Sequence, residues 1–243
     1  TDYTVSYSNN TDVGTAGVTI TGTGNYSGSL ETSFEIIPID TSGPSPEQIS
    51  AHSGEDQQAT VGTALADTVS VFVSDRYSNP VAGAEVTFVI TAGGGEFPGG
   101  AADTVMVTNK DGIAASPAWT LGPAPGENRL EAVVESLSGS PVVFTATALT
   151  GTAEQMTAHS GEDQQATVGT ALADTVSVFV SDRYSNPVAG AEVTFRITAG
   201  GGEFPGGAAD TVMVTNKDGI AASPAWTLGP APGENRLEAV VES

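Results

Sequence analysis

Val69-Ser-Val-Phe-Val-Ser-Asp-Arg-Tyr-Ser-Asn-Pro-Val-Ala-Gly-Ala-Glu-Val-Thr-Phe88 is the stretch that decides the fold. Val69, Val71 and Val73 recur at every second position, and so do Val86, Phe88 and Ile90 after a break. A period of two puts each trio on one face of a β-strand. The break, Asp75-Arg-Tyr-Ser-Asn-Pro80, is rich in residues that form tight turns. On the second strand Glu85, Thr87 and Val89 then point away from the core.

The whole stretch occurs again. Residues Glu47 to Ser136 recur 107 positions later as Glu154 to Ser243 with three differences: Ile49/Met156, Ser50/Thr157 and Val89/Arg196. The third difference tests the strand assignment. A lone charge buried in a core costs several kcal/mol, so Arg196 is compatible only with an outward position, which the alternation assigns to it.

Further strands follow in the same module. Thr104–Thr108 pairs Val105 and Val107 on one side, and Ile113–Leu121 carries Trp119. Asn128–Glu135 sets Leu130, Ala132 and Val134 opposite Arg129, Glu131 and Glu135. Val142–Ala148 closes the unit with Val142, Phe144 and Ala146 inward. With Asp67–Asp75, Ala84–Thr91 and an opening strand near Gln48–His52, this makes about seven strands. Helical periodicity is absent, while Gly (30) and Pro (14) punctuate the chain. The expected fold class is all-β, as tandem immunoglobulin-like β-sandwiches.

The expected domains are 1–38, the C-terminal part of an Ig-like domain; 39–46, a linker; 47–150, the first repeat; and 151–243, the second. In the front part Tyr3–Ser8, Thr15–Thr21 and Leu30–Ile37 read as three strands, joined by Asn9-Asn10 and Gly24-Asn25 turns. Three strands do not enclose a sandwich core, so upstream strands are expected. Thr41-Ser-Gly-Pro-Ser-Pro46 reads as a semi-rigid extended spacer. The junction between repeats, Leu149-Thr-Gly-Thr-Ala153, is short and has no proline. The second repeat has no counterpart of Leu137–Ala148 within the 243 residues. Either the chain continues, the favoured expectation, or a strand from another chain completes the sheet. The chain opens on Thr1 and reads as an internal piece of a longer protein.

The order Val69 to Phe88, then Asp111-Gly-Ile-Ala114, Trp119-Thr-Leu-Gly122 and Phe144-Thr-Ala-Thr147, resembles the bacterial Ig-like repeat of the invasin/intimin type. The likeness spans roughly 47–148 and again 154–243. Asp2-Tyr-Thr-Val-Ser-Tyr7 and Gly22-Thr-Gly-Asn-Tyr-Ser-Gly28 are similar to another, Gly-rich bacterial surface Ig-like repeat, of which the C-terminal half is present. The resemblance implies an extracellular or cell-surface stalk without catalysis. Its neighbours would be further Ig-like domains of the same chain.

Composition narrows the partners. Formal net charge is −22, from 29 acidic against 7 basic residues. Nucleic acid and anionic membrane both attract positive charge, so neither is an expected partner. No apolar run approaches the ~20 residues of a membrane span. The chain has no cysteine, which excludes disulfides, thiolate metal sites and cysteine nucleophiles.

Few residues are candidates for chemistry. Calcium is the metal the carboxylates would suit, through Glu55, Asp56, Asp75 and Asp111 and their equivalents Glu162, Asp163, Asp182 and Asp218. No loop has the dense alternating acid pattern of an EF-hand, and turn formation accounts for Asp75 and Asp111 without a metal. His52 and His159 are one position in two copies and form no triad. Trp119 and Trp226 are expected in the core, and Phe97 and Phe204 are expected to tuck over the sandwich end. Asn9 and Asn25 begin Asn-x-Ser/Thr triplets in turns, and Lys110 is expected to be exposed. The expected function is therefore a stalk, spacer or fibre segment of an adhesin-like protein. The alternatives are weak multivalent binding of carbohydrate or a host surface, an accessory region of a secreted polysaccharide-active enzyme, or a self-assembling filament forming a homopolymer.

Overall fold

A computed structural model describes residues 2–11, 14–36 and 45–241. All regular elements among them are strands. The chain divides into two units, Thr1–Ser45 and Pro46–Ser243. The linker expected at 39–46 lies mostly outside the described residues, as does Ile37.

The first unit is an antiparallel meander of β1 (Tyr3–Ser8), β2 (Gly14–Gly22) and β3 (Ser29–Ile36). Its register aligns Tyr7, Val18 and Thr32, then Val5, Ile20 and Leu30, across the three strands. One face is therefore apolar, and much of it is exposed at Tyr3, Tyr7, Leu30 and Phe34. Three strands leave such a face uncovered.

The first copy of the repeat holds eight strands: β4 (Gln48–Ser53), β5 (Gln57–Thr60), β6 (Ser70–Ser74), β7 (Glu85–Ala92), β8 (Asp103–Val107), β9 (Ile113–Ala115), β10 (Gly126–Val133) and β11 (Val142–Leu149). They form a sheet β4-β6-β9 and a sheet β5-β11-β10-β7-β8. Alternation operates as expected: Val69, Val71 and Val73 on one side and Val86, Phe88, Leu130, Ala132 and Phe144 on the other are fully buried in one core. Trp119 and Phe97 join it. Two such sheets packed face to face make an immunoglobulin-like sandwich.

Two expectations need correction. The strand expected over Ile113–Leu121 is regular only to Ala115, because Pro117 has no N–H to donate to a ladder. Beyond it the backbone touches its neighbours singly, at Ala64–Thr120 and Glu96–Thr120. Conversely, β5 was not expected. It pairs parallel with β11, from Gln57 opposite Ala146 to Thr60 opposite Leu149. Its sequence, Gln-Gln-Ala-Thr, carries almost no hydrophobic alternation.

The second copy contains β12 (Gln155–Ser160), β13 (Ser177–Ser181), β14 (Glu192–Ala199), β15 (Asp210–Val214), β16 (Ile220–Ala222) and β17 (Arg236–Val241). Its sheets are β12-β13-β16 and β15-β14-β17. The chain is thus all-β, with tandem Ig-like sandwiches.

Arg196 is exposed on β14, opposite Asp210 on one neighbour and Glu238 on the other. In the first copy Val89 lies in the same frame, opposite Asp103 and Glu131. Acids on both sides favour a base at that position. The substitution Val89→Arg is therefore expected to change stability by no more than about 0.5 kcal/mol. Val86→Arg, three residues away but buried, is expected to abolish folding of the first copy. Urea unfolding of the two variants measures both.

Candidate functional site: the junction between the copies

Asp182-Arg-Tyr-Ser-Asn186 is first of all a turn. The Asp182 Oδ1 accepts the backbone N–H groups of Tyr184 (2.9 Å) and Asn186 (3.0 Å), and Asn186 Nδ2 donates back to Oδ2 at 3.0 Å. Short polar side chains make this self-bonded geometry readily. The first copy repeats it: Asp75 Oδ1 accepts from Tyr77 and Asn79 at 2.8 and 2.9 Å. In both copies the arginine lies over the neighbouring tyrosine ring, 4.6 Å from its centroid.

Among the described residues, only the second turn has a protein surface against it. Asn186 Nδ2 donates to the Pro123 carbonyl at 2.7 Å, and Arg183 Nη2 reaches the Gly62 carbonyl at 3.4 Å. Gly62 and Gly122 are joined by a backbone hydrogen bond, so both acceptors sit at one end of the first sandwich. The Tyr184 ring and hydroxyl lie directly on Gly62, in space that a Cβ would occupy. Gly62 is also in the left-handed region, at φ 65°. The connecting segment is held as well: the Gly151 N–H donates to Asp182 Oδ2 at 3.1 Å. Ala153 packs against the second core, and the Leu149 carbonyl accepts the Val61 N–H at 2.9 Å.

Burial registers the difference. Tyr77 is 69% exposed and Tyr184 38%, while Asp182 falls to 1%. Burial alone would push the Asp182 carboxyl up. Hydrogen bonds from the Asn186 side chain and from the Gly151, Asn186 and Tyr184 N–H groups outweigh it and hold the carboxyl below the ordinary 3.8. Asp75, half-buried, is lowered too, mainly by the Asn79 side chain.

Asp182 was a calcium candidate by sequence, and the structure shows its oxygens occupied by N–H donors. Asp75 is occupied in the same way. Asp111 and Asp218 pair with their neighbours Lys110 and Lys217 at 2.8 Å on the surface. Glu55, Asp56, Glu162 and Asp163 are exposed. Among the described residues no group of three or more His, Asp or Glu side chains could hold a metal. His52 and His159 are exposed, as are Asn9, Asn25 and Lys110. Trp119, Trp226, Phe97 and Phe204 are buried. The junction residues Gly62, Pro123, Gly151, Arg183, Tyr184 and Asn186 were not legible as a group. The first copy carries the same turn without a surface against it among the described contacts, so local sequence does not distinguish the two.

Fold and junction together define a tandem array of immunoglobulin-like sandwiches with a built interface between consecutive copies. No family model matches the chain, and no curated protein does. Solved structures similar to it include the Escherichia coli adhesin FdeC, at 18% identity over 98% of this chain and 77% of that one, with a TM-score of 0.45. InvD of Yersinia pseudotuberculosis aligns at 12% identity over 100% and 75%, with a TM-score of 0.41. The bacterial integrin-binding protein invasin aligns at 23% over 80% and 36%, with a TM-score of 0.39. Invasin is one of the proteins whose repeat the sequence resembles.

Comparing the paired acids isolates the junction. Asp75→Ala removes a turn, whereas Asp182→Ala removes the same turn plus the Gly151 hydrogen bond from a buried position. The second variant is expected to lose about 1–3 kcal/mol more than the first, measured by denaturant unfolding of each copy. The same bond sets a pH dependence. Because the folded carboxyl titrates below 3.8, its stabilisation is complete above that value and disappears as pH falls through the lower folded value. The difference in melting temperature between the native chain and Asp182→Ala is expected to hold from pH 7 to 5 and to shrink below pH 3.8.

Proposed function

We propose that this chain is a non-catalytic spacer segment of an adhesin-like bacterial surface or secreted protein. In this reading each sandwich occupies length and each junction limits bending. The observation that carries it is the junction itself. A short proline-free connector is pinned at Gly151, and the Arg183, Tyr184 and Asn186 side chains rest on Gly62 and Pro123 of the preceding copy. Near-identity of the copies supports the same reading, because two nearly equal surfaces serve repetition better than two distinct chemistries. The net charge of −22 would keep neighbouring chains apart. The uncovered apolar face of the front meander supports taking residues 1–38 as the C-terminal part of a further Ig-like domain, with 39–46 as its linker.

The two copies then reorient together in solution. Nuclear spin relaxation of the full chain is expected to give one correlation time for residues 47–150 and 151–241. Gly62→Ala places a methyl group against Tyr184 and is expected to separate the two correlation times. Gly169→Ala has a similar φ, 71°, but open space around it, and is expected to leave them equal. Independent tumbling of the native copies would end the spacer reading, as would sugar binding or turnover by a single copy.

A further inference from the structure

Each copy keeps one sheet edge open on the side away from the closing strand. In the first copy that edge is β8, which among the described residues pairs with β7 alone, at the opposite end of the sheet from β11 and β5. The second copy presents the same edge as β15, paired with β14 alone. Two hydrogen bonds fix the phase of the β7–β8 ladder. The Thr108 N–H donates to the Ala84 carbonyl at 2.9 Å, and the Ile90 N–H donates to the Ala102 carbonyl at 2.8 Å. Bonded pairs alternate along an antiparallel ladder, so Thr104 and Met106 turn their backbone groups toward β7. Asp103, Val105 and Val107 turn theirs outward. Edges of this kind are commonly blunted by a proline, a lysine or a bulge. Asp103–Val107 contains no proline or lysine, and its register with β7 runs without a bulge. Val105 and Val107 are more than half exposed, as are Val212 and Val214 on β15.

We infer that the β8 edge accepts an extended cationic peptide as an added strand. The backbone N–H and C=O groups of Asp103, Val105 and Val107 supply the ladder, and the side chains around them select the peptide's charge. On the outward face Asp103, Val105 and Val107 stand beside Val89, Thr87 and Glu85. Among the described residues neither Asp103 nor Glu85 is in an ion pair, whereas Glu131 on the next strand is held by Arg129 at 3.0 Å. An added strand sets one outward residue opposite Asp103 and the next outward residue opposite Val105. A base at the first place and a β-branched residue at the second complete favourable cross-strand pairs. A second copy of this chain is not the occupant, because its own β8 offers no base and it brings a net charge of −22. The one large difference between the copies bears on this site. Arg196 stands opposite Asp210, where the first copy has Val89 opposite Asp103. A base on β14 thus already serves Asp210, which makes β8 the better cation acceptor and β15 the poorer. No junction residue belongs to the edge, so the inference stands apart from the spacer reading.

The test titrates the full chain with the peptide acetyl-Thr-Lys-Thr-Val-Thr-Lys-Thr-amide and follows backbone amide resonances. Its symmetric pattern sets a lysine against Asp103 in either strand direction. Saturable shifts are expected at Val105 and Val107, with a dissociation constant about three-fold smaller than that read at Val212 and Val214. Val89→Arg puts the second copy's residue into the first and is expected to make the two edges equal. Arg196→Val is expected to equalise them by tightening β15. The same peptide with glutamate in place of both lysines is expected to shift neither edge. Unmoved resonances at Val105 and Val107 would overturn the inference. So would shifts spread over acidic residues outside the edge, or an affinity that neither substitution changes. Edge shifts that appear on concentrating the chain without peptide would also overturn it, because the occupant would then be a second copy.

Discussion

One strand closes the first sandwich from two sides. Strand β11 pairs antiparallel with β10 and parallel with β5, and its Phe144, Ala146 and Ala148 side chains enter the core. Its ladder satisfies backbone groups on both neighbours, which would otherwise form an open edge. The second copy shows what depends on it. Nearly the same residues build β12 to β17, yet Leu237, Ala239 and Leu228 are only partly buried. The segment equivalent to β5 adopts no strand at all. A strand as polar as Gln57–Thr60 is held by its partner's ladder, which is the context dependence expected of β structure.

The junction rests on economy of a different kind. Asp182 folds its own turn through Oδ1 and uses Oδ2 to hold the connector at Gly151. Asn186 likewise closes the turn and reaches Pro123. The first copy forms the same turn and the same arginine–tyrosine stack with no such surface against it among the described residues. The contact face is therefore in place before docking, so little side-chain freedom remains to be lost when the copies meet. The contacts are side chains on carbonyl oxygens and a glycine, not opposite charges. In a chain of net charge −22 with seven basic residues, such an interface uses one cation, Arg183, on a neutral carbonyl and loses little to salt. The ion pairs present, such as Lys110 with Asp111, lie on the surface and contribute little.

Much of the sandwich was legible because its strongest signal is local. Alternation over Val69–Val73 and Val86–Ile90 identified both the strands and their buried faces, and it assigned Arg196 outward without any coordinates. Trp119 was expected inside as the lone Trp of a sandwich strand and Phe97 over the sandwich end, and both side chains join the core. Strand β5 escaped because four mostly polar residues carry no period, and the end of β9 escaped because Pro117 interrupts a ladder that hydrophobicity alone would continue. The acid positions were legible as turn formers, whereas their division into free and docked turns was not.

Sequence alone determined the repeat, the all-β character, the inward and outward faces and the charge, since each follows from residue identity and a spacing of two. Tertiary structure decided which strands pair and which of two identical turns meets a neighbour. Those outcomes depend on segments distant in the chain. Gln57 meets Ala146, and Pro123 meets Asn186, and no local pattern carries information about a partner that far away.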